Sequence, residues 1–272
     1  MRIGLMNTKR RNIRDRKIEI FESKINKGSI PWSERNRKIK STGVLAIVPA
    51  RAGSKRLPSK NFRRFADSNL VAITVSEALL VDTIEKIVVA TDVEDLKPQD
   101  LDTSGRVSIF RRSLESATDN APTAKVISEV LDAFPNFETV LLLQPTSPQR
   151  NHTIIRKTLD QLQISSNSSV ISYSIIKSSM DKVILKLDSE KFTTIGNLLM
   201  RVEDMEEAVT PKQILVPNGM IYAAKTVDLK RVNFDFYSLD VIPLEMEFLS
   251  ALDIDDQLEF EMAEFAVKSA SR

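Results

Sequence analysis

From Val44 onward the chain alternates short apolar-rich runs with longer stretches in which apolar residues recur at helical spacing. This alternation restricts the fold more than any other feature of the sequence. The runs are Val44–Val48, Lys86–Ala90, Val107–Phe110, Thr139–Leu143 and Ser169–Ser174, with a further core strand at Gly219–Ala224. Between them, Leu70–Leu80 has helical spacing, a helix opens around Asn120-Ala121-Pro122 and continues through Val126, Val130, Leu131 and Phe134, and another passes through Ile154, Ile155, Leu159 and Leu162. Strands that are apolar on both faces belong in a parallel sheet covered by helices on both sides. The fold class is therefore α/β, with a mostly parallel sheet in three layers. Ligands bind such sheets beyond the carboxyl ends of the strands, which directs attention to the loops after Val48, Ala90, Phe110 and Leu143. Residues 175–217 break the alternation and read as an inserted subdomain. Residues 256–268 form a terminal helix with Leu258, Met262, Phe265 and Ala266 on one apolar stripe.

The chemistry open to this chain is narrowed by what it lacks. There is no cysteine, and His152 is the single histidine. Thiol catalysis, Cys-zinc sites, a multi-His metal centre and a Ser-His-Asp triad are excluded or left almost without material. Carboxylates, Lys and Arg, amides, hydroxyls and a metal held by oxygen remain. No run approaches the roughly 18 apolar residues of a membrane span, and the first 30 residues lack a secretory apolar core, so a cytoplasmic protein without membrane contact is expected. The net charge of +2 hides an asymmetry: residues 1–40 hold 13 cations and 4 acids, and the remaining 232 residues hold 26 cations and 33 acids. Residues 1–42 read as a basic extension, partly disordered or docked as a short amphipathic helix through Ile18, Ile20, Phe21 and Ile25. Residues 43–272 form the globular domain. The extension has no interleaved aromatics for base stacking, so nucleic-acid binding has little support.

The first apolar run opens into Pro49-Ala50-Arg51-Ala52-Gly53-Ser54-Lys55-Arg56-Leu57-Pro58-Ser59-Lys60-Asn61. From Ala50 to Asn61 there are four cations and no acid. Gly53 lets backbone approach a ligand, Ser54 adds a hydroxyl and Pro58 stiffens the turn. A loop of this kind after a buried strand suits a phosphate group, and it also suits an ordinary basic surface loop. It is neither a Walker loop nor a dinucleotide fingerprint. Near the other end of the chain, Asp253 and Asp255 stand two residues apart. On an extended segment they project to the same side and repel unless a cation lies between them. They could equally form an acidic helix start, with Asp255 or Asp256 as N-cap.

The segment AIVPARAGSKRLPSKN resembles the signature of the sialic-acid-type cytidylyltransferases, the CMP-N-acylneuraminate synthetases. Leu141–Arg150 (LLLQPTSPQR), Pro217–Tyr222 (PNGMIY) and Asp253-Ile254-Asp255 with its acidic helix through Ala263-Glu264 resemble three further motifs, in the family order across residues 44–265. The resemblance implies a Rossmann-like nucleotidyltransferase fold with a small dimerisation subdomain at about 175–217, and hence a homodimer. It implies a reaction in which the anomeric hydroxyl of an acidic nine-carbon 2-keto sugar, sialic acid or a related nonulosonate, attacks the α-phosphate of CTP. CMP-sugar forms and pyrophosphate leaves, with Mg²⁺ or alternatively Mn²⁺ as cofactor.

Carried over by position, the resemblance makes Arg51, Gly53, Ser54 and Lys60 triphosphate-side residues, with Lys60 and Arg51 acting on the reacting phosphate. Asn61 is placed on the nucleotide. Arg112 is placed near cytosine, although RSLESATD replaces the family's RPxELAxD and Arg111 could take that role. Gln144, Lys182, Lys212 and Tyr222 fall on the sugar side, and Asp253 and Asp255 on the metal. Lys212 stands where an arginine is usual and cannot reproduce its bidentate fork. His152 matches no catalytic position and suits a helix start. Asn61 favours a nonulosonate over Kdo. A CMP-Kdo synthetase, a nonulosonate guanylyltransferase and a non-catalytic nucleotide- or RNA-binding relative are the other readings of the same residues.

Overall fold

A computed structural model describes residues 43–54, 56–113, 115–116, 122–176, 184–186, 192–194, 214–247 and 251–270. The chain divides into two units between Ser41 and Thr42. The basic extension lies outside the described residues, as do Lys182, Lys212 and most of the expected insert, and the fold below is that of the second unit.

A seven-stranded sheet forms its centre, in the order β11-β7-β10-β6-β1-β4-β5. Its strands are β1 (Val44–Pro49), β4 (Ile84–Thr91), β5 (Val107–Arg111), β6 (Thr139–Leu142), β7 (Ser169–Ile176), β10 (Ile214–Lys225) and β11 (Val241–Met246). Neighbours pair parallel except at β10, which runs antiparallel to both β6 and β7. Two hairpins stand apart from this sheet: β2 (Arg64–Phe65) with β3 (Ser68–Asn69), and β8 (Ile184–Lys186) with β9 (Phe192–Thr194). The described ends of the expected insert are continuations of core strands, since Ile214 pairs with Ile176 at the far ends of β10 and β7.

Alternation along β1 builds the three layers. Ala46 and Val48 face α1 (Leu70–Leu79) and α3 (His152–Ile164), packing with Val71, Val75, Ile155 and Leu162. Leu45 and Ile47 face the opposite layer, where α2 (Thr123–Ala133) supplies Val126, Ile127, Val130 and Leu131, and α4 (Thr226–Arg231) supplies Leu229. Each of these buried Val, Leu and Ile side chains contributes roughly 1.5–3 kcal/mol, which explains why β1 carries no polar residue. A third cluster joins Leu57, Phe65 and Leu70 to Ile254, Phe260 and Ala263 of the C-terminal segment and α5 (Gln257–Ala270).

The terminal helix corrects the expected stripe. Leu258, Met262 and Phe265 are exposed, and the buried face is Phe260 and Ala263, with Val267 packed against the same cluster. Phe65 meets the Phe260 ring edge-on at 5.1 Å between centroids, so the partner across the interface selects which of two apolar stripes goes inward. No helix among the described residues is long and apolar enough to cross a membrane.

Candidate active site

After β1 the chain stays tied to the end of β4. Ala50 N–H donates to the Ala90 carbonyl at 2.8 Å, and Ala52 N–H donates to the Asp92 carboxylate at 2.7 Å. Leu57 is buried in the third cluster. Ser59, with φ 53°, turns the chain so that its carbonyl accepts from the N–H groups of Phe62 and Arg63. These restraints hold Lys60 and Asn61 nearly fully buried. Asn61 Nδ2 donates to the Arg51 carbonyl at 3.1 Å, folding the loop onto itself. Asn61 Oδ1 is buried with no hydrogen-bond partner among the described residues.

The C-terminal segment is strapped to the loop after β6. Ile254 N–H donates to the Thr146 carbonyl at 2.9 Å, and Leu252 N–H donates to Gln149 Oε1 at 3.2 Å. Ile254 points into the third cluster, so alternation sends Asp253 and Asp255 the other way, to the pocket. Lys60 Nζ donates to the Ile254 carbonyl and lies 3.3 Å from Asp255 Oδ1, and Arg56 reaches Asp255 Oδ2 at 2.8 Å. Helix capping falls to another residue. Asp256 accepts from Glu259 N–H at 2.9 Å while Glu259 accepts in return from Asp255 and Asp256 N–H, a reciprocal capping box. Both pocket aspartates keep their carboxylates free of cap duty. Solvent reaches Asp253 from the open side, while protein crowds it from behind. That burial, with Asp255 beside it, raises its carboxyl above the ordinary aspartate range, against the opposing pull of a Thr146 hydrogen bond and Lys60.

The resulting cleft has a volume of about 260 Å³ and lies beyond the carboxyl ends of β1 and β6, where the strand order reverses. Pro49, Arg51, Ser54, Lys60 and Asn61 line it from the first loop, Arg112, Thr123 and Val126 from the β5–α2 side, Gln144, Pro145 and Thr146 from the loop after β6, and Asp253 and Asp255 from the C-terminal segment. Three cations thus face two carboxylates across one opening. That arrangement suits a polyanion and a hard divalent cation together. Among the described residues no group of three or more acidic or His side chains could hold a metal. The donor set is a pair, which fits an ion that takes one or two carboxylates and completes its shell from water and phosphate.

The two candidate arginines separate. Arg112 lines the cleft, while Arg111 points away and donates to the backbone carbonyls of Val93, Glu94 and Leu96. Burial lowers the Arg112 pKa from its ordinary value, with Arg51 adding to the shift and Asp92 and Glu129 opposing it. Gln144 stands over Gly219, whose φ is +75°. A Cβ there would lie 2.8 Å from Gln144 Oε1 and 3.4 Å from Asp253 Oδ2, so this glycine is the floor on which both side chains meet.

Two predicted residues stand elsewhere. Gly53 does not line the cleft, and a Cβ on it would meet nothing within 4 Å. Tyr222 is buried in the opposite core, its ring against Phe236 and its hydroxyl 2.9 Å from that of Tyr237, and it does not line the cleft either. His152 opens α3, and its backbone N–H and Nδ1 both meet Glu77. The structure adds Asp92, Thr123, Thr146 and Arg150 to what the sequence singled out. Arg150 is wholly buried and donates to the Gln144 carbonyl at 2.8 Å, the Met220 carbonyl at 2.6 Å and Thr74 Oγ1 at 2.9 Å. Burial pulls its pKa down to about 9, opposed by the Glu77 charge. It fastens the loop after β6 to β10 and α1. Its position inside the QPTSPQR run was the only signal in the sequence.

The sequence profile described as cytidylyltransferase matches residues 45–265. The CMP-N,N'-diacetyllegionaminic acid synthase of Legionella pneumophila (strain Philadelphia 1) is 34% identical over 228 residues, covering 81% of this chain and 94% of the relative. The N-acylneuraminate cytidylyltransferase of Escherichia coli O18:K1:H7 is 31% identical over 227 residues, covering 82% of this chain and 51% of the relative, so the match spans about half of that longer protein. Among solved structures, the 4-diphosphocytidyl-2C-methyl-D-erythritol synthase of Anaerococcus prevotii superposes with a TM-score of 0.61 at 18% identity, over 84% of this chain and 99% of that one. At that identity the likeness is one of fold, the α/β nucleotidyltransferase architecture.

Proposed function

The chain belongs to the cytidylyltransferase family, and from this we propose that it couples CTP to an acidic nine-carbon 2-keto sugar, sialic acid or a related nonulosonate, giving CMP-sugar and pyrophosphate. The observation that carries this reading is the meeting of Lys60 with the Asp253-Ile254-Asp255 segment in one cleft that Arg51, Ser54, Asn61, Arg112 and Gln144 also line. Arg51 and Ser54 cradle the triphosphate. Asn61 offers to the nucleoside a buried oxygen that has no partner among the described residues, and Arg112 faces the base. Gln144, on the opposite wall, hydrogen-bonds the sugar. The anomeric oxygen forms its bond to the α-phosphorus as the bond to the β-phosphate oxygen breaks, pyrophosphate leaves and the hydroxyl proton is released. Catalysis of this kind is positioning and charge stabilisation, and Lys60 supplies a fixed cation where charge grows on the α-phosphate. Asp253 and Asp255 would hold Mg²⁺, or Mn²⁺, which supplies further neutralisation of the phosphates.

A homodimer and sugar contacts from Lys182 and Lys212 belong to the same reading and rest on the family resemblance, and cytoplasmic localisation belongs to it as the expectation from the sequence. Sedimentation measures the first. The reaction itself is tested by pyrophosphate release from each of the four nucleoside triphosphates with a panel of 2-keto sugar acids. The expected outcome is release with CTP and a nonulosonic acid, dependent on Mg²⁺. Turnover with Kdo alone or with GTP would replace the substrate assignment, and no release from any pair would leave a binding protein.

A further inference from the structure

Behind Arg112 lies a hydrogen-bonded knot that the reaction does not use directly. Glu129, on α2 one turn beyond the cleft-lining Val126, turns its carboxylate to the segment after β5. Ser113 Oγ donates to its Oε1 at 2.6 Å and Ser116 Oγ to its Oε2 at 2.7 Å. The two serines are also joined to each other, with Ser116 N–H donating to Ser113 Oγ at 3.1 Å. Ser116 is fully buried, and its carbonyl accepts from the guanidinium of Arg112. Arg112 Nε is buried with no hydrogen-bond partner among the described residues, so the bond to the Ser116 carbonyl aims the side chain. Burial tends to raise the Glu129 pKa, but hydrogen bonds from Ser113 and Ser116, with the Lys125 charge, outweigh that and hold it below the ordinary glutamate range. The acceptor is therefore an anion at neutral pH, where it binds hydroxyls most strongly. Glu129 does not line the cleft.

We propose that Glu129 is a positioning residue for the nucleotide: through Ser113 and Ser116 it fixes the turn that carries Arg112 into the cleft. This rests on the reading above that the cleft takes CTP with Arg112 on the base side. The segment Ser113-Leu114-Glu115-Ser116 contains no proline to fix φ, and Ser113 stands at the proline position of the RPxELAxD pattern that this stretch resembles. The carboxylate across the gap supplies the restraint instead.

The test is a calorimetric titration of CTP into the full-length protein and its Glu129→Ala, Glu129→Gln, Arg112→Ala, Arg112→Ala/Glu129→Ala and Lys125→Met variants, with KM for the sugar acid measured alongside. Losing Glu129 is expected to weaken CTP on the order of tenfold, the scale of one hydrogen bond to a charged group. Gln, which keeps one of the two acceptor oxygens, falls between. KM for the sugar acid stays unchanged. The double variant binds CTP no worse than Arg112→Ala alone, because both changes act on the same contact. Lys125→Met, which removes the exposed ion pairs to Glu115 at 3.3 Å and to Glu129 at 3.9 Å but leaves both serine hydrogen bonds in place, stays near wild type. Additive losses, equal losses for both substrates, or a Lys125→Met effect as large as that of Glu129→Ala would overturn the proposal. Wild-type protein that does not bind CTP would instead remove the reading on which it stands, and an Arg112→Ala variant with full CTP affinity would show that Glu129 acts through some other group.

Discussion

Lys60 is gripped from both sides of the cleft: its own loop buries its stem, and the Ile254 carbonyl and Asp255 receive its ammonium. A cation so fixed costs little reorganisation when negative charge develops beside it. Lys60→Met keeps the stem and removes the charge. It should lower kcat on the order of 10²-fold or more while changing CTP affinity far less, as separate turnover and titration measurements would reveal. Equal losses in both would make Lys60 a binding residue only. Asp253 gives a second prediction. Because the folded protein holds its proton more tightly than the unfolded chain does, ionising it costs stability. That cost is absent below the ordinary aspartate value, grows as pH rises towards the folded value and persists above it. Asp253→Asn should therefore melt higher than wild type at neutral pH in chelator-treated buffer. The difference should close as the pH falls to the ordinary aspartate value, and turnover should be largely lost. A variant that melts lower at neutral pH would contradict the crowding around this carboxylate. Lys60, Asp253 and Asp255 were legible in the sequence because they sit inside compact motifs. Asp92, Glu129 and Arg150 were not, because each is defined by partners distant in sequence: Ala52 lies 40 positions from Asp92, and Met220 lies 70 from Arg150.

At the scale of elements, α5 shows how a pattern can hold two answers. Leu258, Met262 and Phe265 recur at helical spacing, and so do Phe260, Ala263 and Val267. Phe65, Leu57 and Ile254 decide between them, and no local pattern contains that information. Phe260→Ala should cost roughly 3–5 kcal/mol, as for other large-to-small changes in a packed core, and should impair turnover because the same cluster anchors Ile254 between the two aspartates. Phe265→Ser, on the exposed face, should stay within about 0.5 kcal/mol of wild type. Chemical denaturation of the two variants measures both, and a reversal of their order would invert the helix. The strand runs from Val44 to Ser174 were readable because burial, on both faces in the central strands, leaves them rich in apolar residues. β11 was not recognised, since Pro243 interrupts its run. Its place at the sheet edge, paired with β7 alone among the described strands, is where a strand tolerates proline. The antiparallel course of β10 was hidden as well, because one reversed strand inside a sheet covered on both faces is as apolar as its parallel neighbours.

For the whole molecule, the charge step near residue 40 and the division between Ser41 and Thr42 separate a basic segment from the unit that holds every cleft-lining residue. A protein comprising residues 43–272 should keep the melting temperature and turnover of the full chain. Loss of either would assign the first 42 residues a part in folding or catalysis. The α/β class and the position of the cleft at the strand-order reversal followed from alternation and topology alone, whereas the reaction rests on chemistry gathered from four separated segments. Its most direct test is the product itself. Full-length protein incubated with CTP, Mg²⁺ and a nonulosonic acid should, by ³¹P NMR, form a CMP-sugar phosphodiester and pyrophosphate in equal amounts, with neither appearing when the sugar acid is omitted. Pyrophosphate or phosphate released without the sugar, or CTP left intact with every acid tried, would contradict the account.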